Sequence, residues 1–117
     1  MPTLTTYLTC LSLTVMIESI VSYSLGYRRL RQQAWICLAN CLTNPPVVYL
    51  STLAARSTHL LGWGLALVLL ESSVIVIEAM IFTRCLGDSW TLAWRLAGIN
   101  NLVSFGSGIV LALGRII

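Results

Sequence analysis

Residues 60–83 read LLGWGLALVLLESSVIVIEAMIFT. The stretch has no basic residue and only two acidic ones, Glu71 and Glu78. As a helix rising about 1.5 Å per residue it is long enough to cross a hydrocarbon core of roughly 30 Å. An apolar run of this length in so short a chain has no soluble core large enough to hide it, whereas a bilayer solvates it directly.

Three further windows of similar length flank it: Leu4 to Leu25, Gln33 to Ala55 and Trp90 to Leu113. Short connections separate them, which predicts that sequential helices lie side by side and antiparallel. The expected fold is all-α, a single transmembrane domain over residues 1–117 built as a bundle of four antiparallel membrane helices. Composition agrees, since 57% of the chain is hydrophobic and 9% charged, against about 25% charged in soluble domains. Gly26-Tyr27 is expected to close the first helix, and Asp88 or Ser89 to cap the fourth.

All seven basic residues are arginines (Arg28, Arg29, Arg31, Arg56, Arg84, Arg95 and Arg115), most of them between or beside the apolar windows. The net charge of +3 therefore belongs to helix flanks. No basic patch with interleaved aromatics is present, so nucleic acid is not an expected partner. The first and third connections hold Arg28, Arg29, Arg31 and Arg84, and an excess of arginine marks cytoplasmic loops. Both termini are then expected to face outward. Glu18 inside the first window, with no basic segment ahead of it, makes a poor cleavable signal, so this window reads as a retained helix. Trp35, Trp63, Trp90 and Trp94 lie near predicted helix ends, where indole rings settle at the headgroup level.

Three of the four acidic residues, Glu18, Glu71 and Glu78, fall inside predicted spans, where each charged group costs about 2.5 to 3.5 kcal/mol on insertion scales. Counting depth at about 1.5 Å per residue puts Asn44, Glu71, Asn100 and Asn101 within ~3 Å of the midplane. Glu18 and Asn40 fall ~5 to 6 Å toward the cytoplasm and Glu78 ~10 Å. All four helices thus offer a carboxyl or carboxamide group to one central zone. Two readings follow. The groups can be hydrogen-bonding glue between helices, worth about 0.6 to 2 kcal/mol each, or they can form a site for a proton or a cationic solute. Glu71 and Glu18 have no cation near them in sequence, and a carboxyl group so placed can exchange a proton for a cation.

Glu78 and Arg95 match in depth, and an ion pair between them is expected. Thr43-Asn44-Pro45-Pro46 interrupts the second window, where two prolines remove backbone donors and predict a kink or break. Freed carbonyls beside Asn40, Thr43 and Asn44 would then add ligands to the site, as irregular backbone does where it lines a cavity. Ala93, Ala97, Asn101, Ser104 and Gly108 form a small-residue stripe, suited to close approach of another helix, a second copy or a partner subunit.

Asn40 with Thr43-Asn44-Pro45, Glu71 with Glu78-Ala79, and Asn101 with Ser104 and Gly106 resemble the motifs of a group of small, functionally uncharacterised bacterial membrane proteins. The resemblance covers most of the chain and implies a multi-pass protein of the bacterial inner membrane. In size, helix count and a first-helix glutamate the chain is also similar to the small multidrug resistance transporters, which work as dimers. That likeness is one of architecture, because those proteins lack the Pro-Pro dipeptide and the Glu71 and Glu78 pair, and their aromatic lining is not evident near Glu18.

Signatures of enzymes and cofactors are missing: there is no HExxH, GxSxG or phosphate-binding glycine loop. The single histidine, His59, falls in a connection. Cys10, Cys37, Cys41 and Cys85 form no CxxC pair and suggest neither a disulfide framework nor a metal site. The expected function is that of a small transporter or channel-like protein. Its site is Glu71 and Glu18, helped by Asn40, Thr43, Asn44, Asn100 and Asn101. The alternative is a non-catalytic subunit or assembly factor of a larger membrane complex. Expected partners are lipids and either further copies of the chain or another membrane subunit.

The arginine distribution makes a topological prediction. In a chain whose native cysteines are replaced by serine, Ser57→Cys reacts with an impermeant thiol reagent applied from outside and Ser89→Cys does not. The reverse pattern would invert the orientation.

Overall fold

The computed structural model of the chain describes residues 3–57, 59–87 and 89–116, with side chains up to 107 except at position 60. Four helices follow one another: α1 (Leu4–Ser24), α2 (Leu30–Ser57), α3 (Leu60–Cys85) and α4 (Trp90–Ile116). The expected windows are recovered, with α2 beginning three residues earlier than hydropathy alone indicates.

Local chemistry sets the helix ends. Thr3 caps α1, its hydroxyl accepting from the Thr6 amide at 3.2 Å. At the other end Gly26 adopts φ +106°, a conformation costly for any residue with a Cβ. That allows the Tyr27 amide to reach the Ser22 carbonyl at 3.0 Å and the Gly26 amide the Tyr23 carbonyl at 3.1 Å, a Schellman closure. Ser89 caps α4, accepting from the Leu92 amide at 3.3 Å; Asp88 lies outside the described residues.

α1 packs against α2 and α4, and α3 packs against the same two helices. Among the described residues neither α1 and α3 nor α2 and α4 touch, so the helices form a ring of four with principal extents of 41 × 23 × 23 Å. The apolar core consists of Ile36, Ala39, Ala79, Phe82, Ala93, Leu96 and Ala97. These residues come from the first halves of α2 and α4 and the second half of α3, near the 25–29 and 86–89 connections, and the alanines there let α3 and α4 come close. Seven polar residues are buried beside them: Glu18, Ser22, Asn40, Thr43, Glu78, Asn100 and Asn101.

The outer surface is apolar, with Leu4, Leu8, Ile20, Leu61, Leu69 and Leu102 well exposed. This inverts the arrangement of a water-soluble domain, in which buried charged groups are rare. Among the described residues, two helices, α1 and the Leu61–Cys85 portion of α3, are long and apolar enough to cross a membrane. α2 is the least apolar of the four helices and supplies Asn40, Thr43 and Asn44 to the interior.

One expectation about α2 is corrected. Pro45 and Pro46 do not break it, and the helix runs without interruption from Leu30 to Ser57. Prolines at these positions remove the amide donors of the Cys41 and Leu42 carbonyls, but both of those residues are on the exposed face, as is Pro46. The freed carbonyls therefore belong to the outside of the bundle and add no ligands to its interior.

The close approach at the alanines is testable. Ala97→Leu inserts three carbons at a fully buried position and is expected to destabilise the fold by about 1–3 kcal/mol. Ala34→Leu, on an exposed face, is expected to stay within about 0.5 kcal/mol. Reversible unfolding in mixed micelles compares the two.

Candidate functional site

Helical spacing gathers the polar groups. On α2 the positions 40, 43, 44, 47, 48 and 51 share one face, and on α4 the positions 97, 101, 104 and 105 do the same. Glu78 from α3 stands between these two faces, fully buried. The Thr43 hydroxyl lies 3.1 Å from its Oε2 and the Asn101 amide donates to its Oε1 at 3.1 Å. One carboxyl group thereby joins three helices. Asn101 Nδ2 also donates to the Ala97 carbonyl at 2.8 Å, using its second hydrogen. Thr43 Oγ1 lies 3.0 Å from the Ala39 carbonyl.

Glu18 on α1 is equally buried, yet both of its carboxyl oxygens lack a hydrogen-bond partner among the described residues. The Asn40 amide is the donor beside it, though not in good hydrogen-bonding geometry, and Glu78 and Glu71 are within electrostatic reach. Asn40 spends an amide hydrogen on the Ile36 carbonyl at 3.1 Å. Asn100, also fully buried, leaves both its amide nitrogen and its oxygen unpartnered. Below this layer, Gln33 donates to the Tyr27 carbonyl at 2.6 Å and to Ser22 Oγ at 3.2 Å, fastening the start of α2 to the end of α1.

Above the layer, a cavity of about 350 Å³ opens between the first halves of α1 and α3 and the second halves of α2 and α4. Asn40, Thr43 and Asn101 reach it from the buried layer, Asn44 and Glu71 stand on its walls, and Trp63 and Phe105 are its aromatic residues. The remaining lining is mostly aliphatic. Asn44 donates to Thr14 Oγ1 at 3.2 Å and leaves its Oδ1 unpartnered. Glu71 is half-buried and is the one acidic or basic side chain lining the cavity among the described residues.

The sequence-derived site is thus divided in two. Glu71, Asn44, Asn40, Thr43 and Asn101 reach the cavity; Glu18 and Asn100 do not line it and are sealed in the buried layer. Thr14, Trp63, Ser104 and Phe105 were missed as lining residues. Thr14 was recoverable, because it precedes Glu18 by one helical turn. The small-residue stripe on α4 is used internally at Ala93, Ala97 and Asn101, while Gly108 lies outside the described side chains.

The expected ion pair between Glu78 and Arg95 is not formed; Arg95 is exposed, and Glu78 is held by Thr43 and Asn101 instead. Two geometric reasons account for this. Arg95 is two residues from both Ala93 and Ala97, which puts it about 200° around α4 from the buried stripe. Side chains also lean toward the N-terminus of their own helix, which carries the Glu78 carboxyl toward the middle of the bundle and Arg95 toward the 86–89 connection.

Among the described residues no three His, Cys, Asp or Glu side chains come close enough to share a metal ion. The four cysteines are free thiols. No protein family, curated protein or solved structure matches the chain.

Removing a donor from Glu78 strands a buried oxygen, so Asn101→Leu is expected to cost about 1–3 kcal/mol of stability. Arg95→Gln is expected to stay within about 0.5 kcal/mol, and a double-mutant cycle of Glu78→Gln with Arg95→Gln to be additive. A coupling energy above 1 kcal/mol in that cycle would restore the ion pair.

Proposed function

We propose that the chain is an antiparallel four-helix bundle inserted in the bacterial inner membrane, with both termini outward and α2 bent at Pro45-Pro46. In this setting the cavity receives a cationic solute or a proton, and the protein acts as a small transporter or channel-like protein. The apolar exterior, the polar interior and the spanning lengths of α1 and α3 support insertion. The arginines on the first and third connections support the orientation.

The observation that carries the functional reading is the cavity itself. Its volume of about 350 Å³ falls in the range of small-molecule sites, which run from about 300 to 1,000 Å³. Its wall is apolar with one carboxyl group, a carboxamide oxygen without a partner on Asn44 and the rings of Trp63 and Phe105. That chemistry suits a monovalent organic cation: Glu71 supplies the countercharge, and an aromatic face adds about 0.5–2 kcal/mol for a desolvated cation. Helix glue alone gives no reason for a half-buried carboxyl group facing empty volume. With the termini outward the cavity opens to the outside, and the packed alanine layer closes the cytoplasmic half.

Benzyltrimethylammonium, a compact aromatic quaternary cation, is a suitable probe. Calorimetry with the protein in lipid nanodiscs is expected to detect binding that weakens as pH falls, because protonating Glu71 removes the countercharge. Glu71→Gln preserves shape and most hydrogen bonding and is expected to fold normally while losing at least tenfold in affinity. A Glu71→Gln protein with undiminished affinity and the same pH profile would remove this residue from the mechanism and favour a packing subunit of a larger complex.

A further inference from the structure

Thr43 has one hydroxyl hydrogen, yet its oxygen lies within hydrogen-bonding distance of two acceptors, the Ala39 carbonyl at 3.0 Å and Glu78 Oε2 at 3.1 Å. It cannot donate to both at once. Asn101 presents no such conflict, since its amide carries two hydrogens for Ala97 and Glu78 Oε1. The ambiguity is therefore confined to the Oε2 side of the carboxyl group.

Each alternative corresponds to one charge state of Glu78. When Glu78 is ionised, Thr43 donates to Oε2 and Asn101 to Oε1, so both carboxylate oxygens are satisfied. When Glu78 is neutral, Oε2–H donates to Thr43 Oγ1, and the Thr43 hydroxyl turns to the Ala39 carbonyl, while Asn101 still donates to Oε1. Both states are fully hydrogen-bonded with the heavy atoms in place, and only the Thr43 hydrogen rotates. A buried polar network that is complete in two protonation states offsets part of the desolvation cost that normally locks such a group in one of them.

Glu18 supplies an independent observation. It is fully buried within electrostatic reach of Glu78, and the Asn40 amide is the one donor beside it, against the two that hold Glu78. Of two neighbouring carboxyl groups sharing one interior, the one with two donors is the better carrier of negative charge. Of these two, Glu78 is the better placed to take up and release a proton. The other acidic group acting on Glu78 is Glu71 on its own helix. α2 faces it with Thr43 and α4 with Asn101, neither of them ionisable, and Arg95 is exposed.

We propose that the clasp of Thr43, Glu78 and Asn101 is an exchangeable proton site of this protein in addition to Glu71, with Glu78 Oε2 binding the proton and Thr43 reversing its hydrogen bond as it does so. The proton is taken from a hydronium ion in the cavity, which Thr43 and Asn101 also line, leaving water and a neutral carboxyl group; release is the reverse. Because those two side chains touch both the cavity and Glu78, the charge state of the clasp acts on whatever fills the cavity. This deepens the proposed function by naming a second place where a proton resides, and it rests on the membrane-inserted bundle described there.

The test is pH-difference infrared spectroscopy of the ligand-free protein in lipid nanodiscs, read in the carbonyl-stretch region of protonated carboxyl groups. Acidification is expected to produce two reversible contributions, one lost in Glu71→Gln and a second that is lost in Glu78→Gln and retained in Glu71→Gln. Thr43→Val removes the acceptor for the acidic hydrogen with little change of shape, and is expected to shift the frequency of the second contribution. If Glu78→Gln does not assemble, the Thr43→Val shift decides alone. A difference spectrum unchanged in Glu78→Gln or in Thr43→Val would overturn the proposal, as would the lack of any pH-dependent carboxyl band. No solute is present, so failure of benzyltrimethylammonium binding leaves this result standing, and a missing Glu78 band leaves the binding result standing.

Discussion

A carboxyl group removed from water must find its hydrogen-bond partners within the chain, and Glu78 finds them on two other helices. Thr43 and Asn101 meet it at 3.1 Å each, which fixes how far α2 and α4 can slide along α3. Other placements depend on this one. Glu71 lies seven residues before Glu78 on nearly the same face of α3, so the level of the clasp also sets where Glu71 meets the cavity. Because Thr43 and Asn101 reach the cavity as well as Glu78, the clasp is at once a strut between helices and the base of a candidate binding volume.

The two halves of the bundle differ because their interior side chains differ. Near the 86–89 connection Ala79, Ala93 and Ala97 draw α3 and α4 together, and Phe82, Ile36 and Leu96 fill what space is left. In the other half the facing positions carry side chains of mixed size and polarity, such as Thr14, Asn44, Ser51 and Glu71, and the helices leave a cavity between them. A closed half and an open half, with hydrogen-bonded carboxyl chemistry at their boundary, form the asymmetry on which the proposed transport function rests.

Helical phase separates the successful parts of the sequence reading from the unsuccessful ones. Arg95 was matched to Glu78 by depth, but its position opposite the Ala93 and Ala97 stripe was legible in the same residues. Pro45 and Pro46 were read as opening the helix toward the site, although Cys41 and Leu42, whose carbonyls they free, are on the exposed face of α2. Counting depth treats each residue as a point on an axis. Contacts depend also on the angle around that axis and on the lean of each side chain toward its helix N-terminus.

The sequence by itself determined the four helices, their approximate limits and the convergence of carboxyl and carboxamide groups on one zone. Those properties follow from local composition, periodicity and capping, which need no knowledge of neighbouring helices. Only the tertiary structure decided that Glu78 is clasped by Thr43 and Asn101, that Glu18 and Asn100 are sealed in the buried layer, and that Glu71 faces a cavity instead. The physical reason is that a polar side chain in an apolar shell is governed by which donors stand within about 3 Å of it, and that distance is set by how four helices rotate and slide against one another.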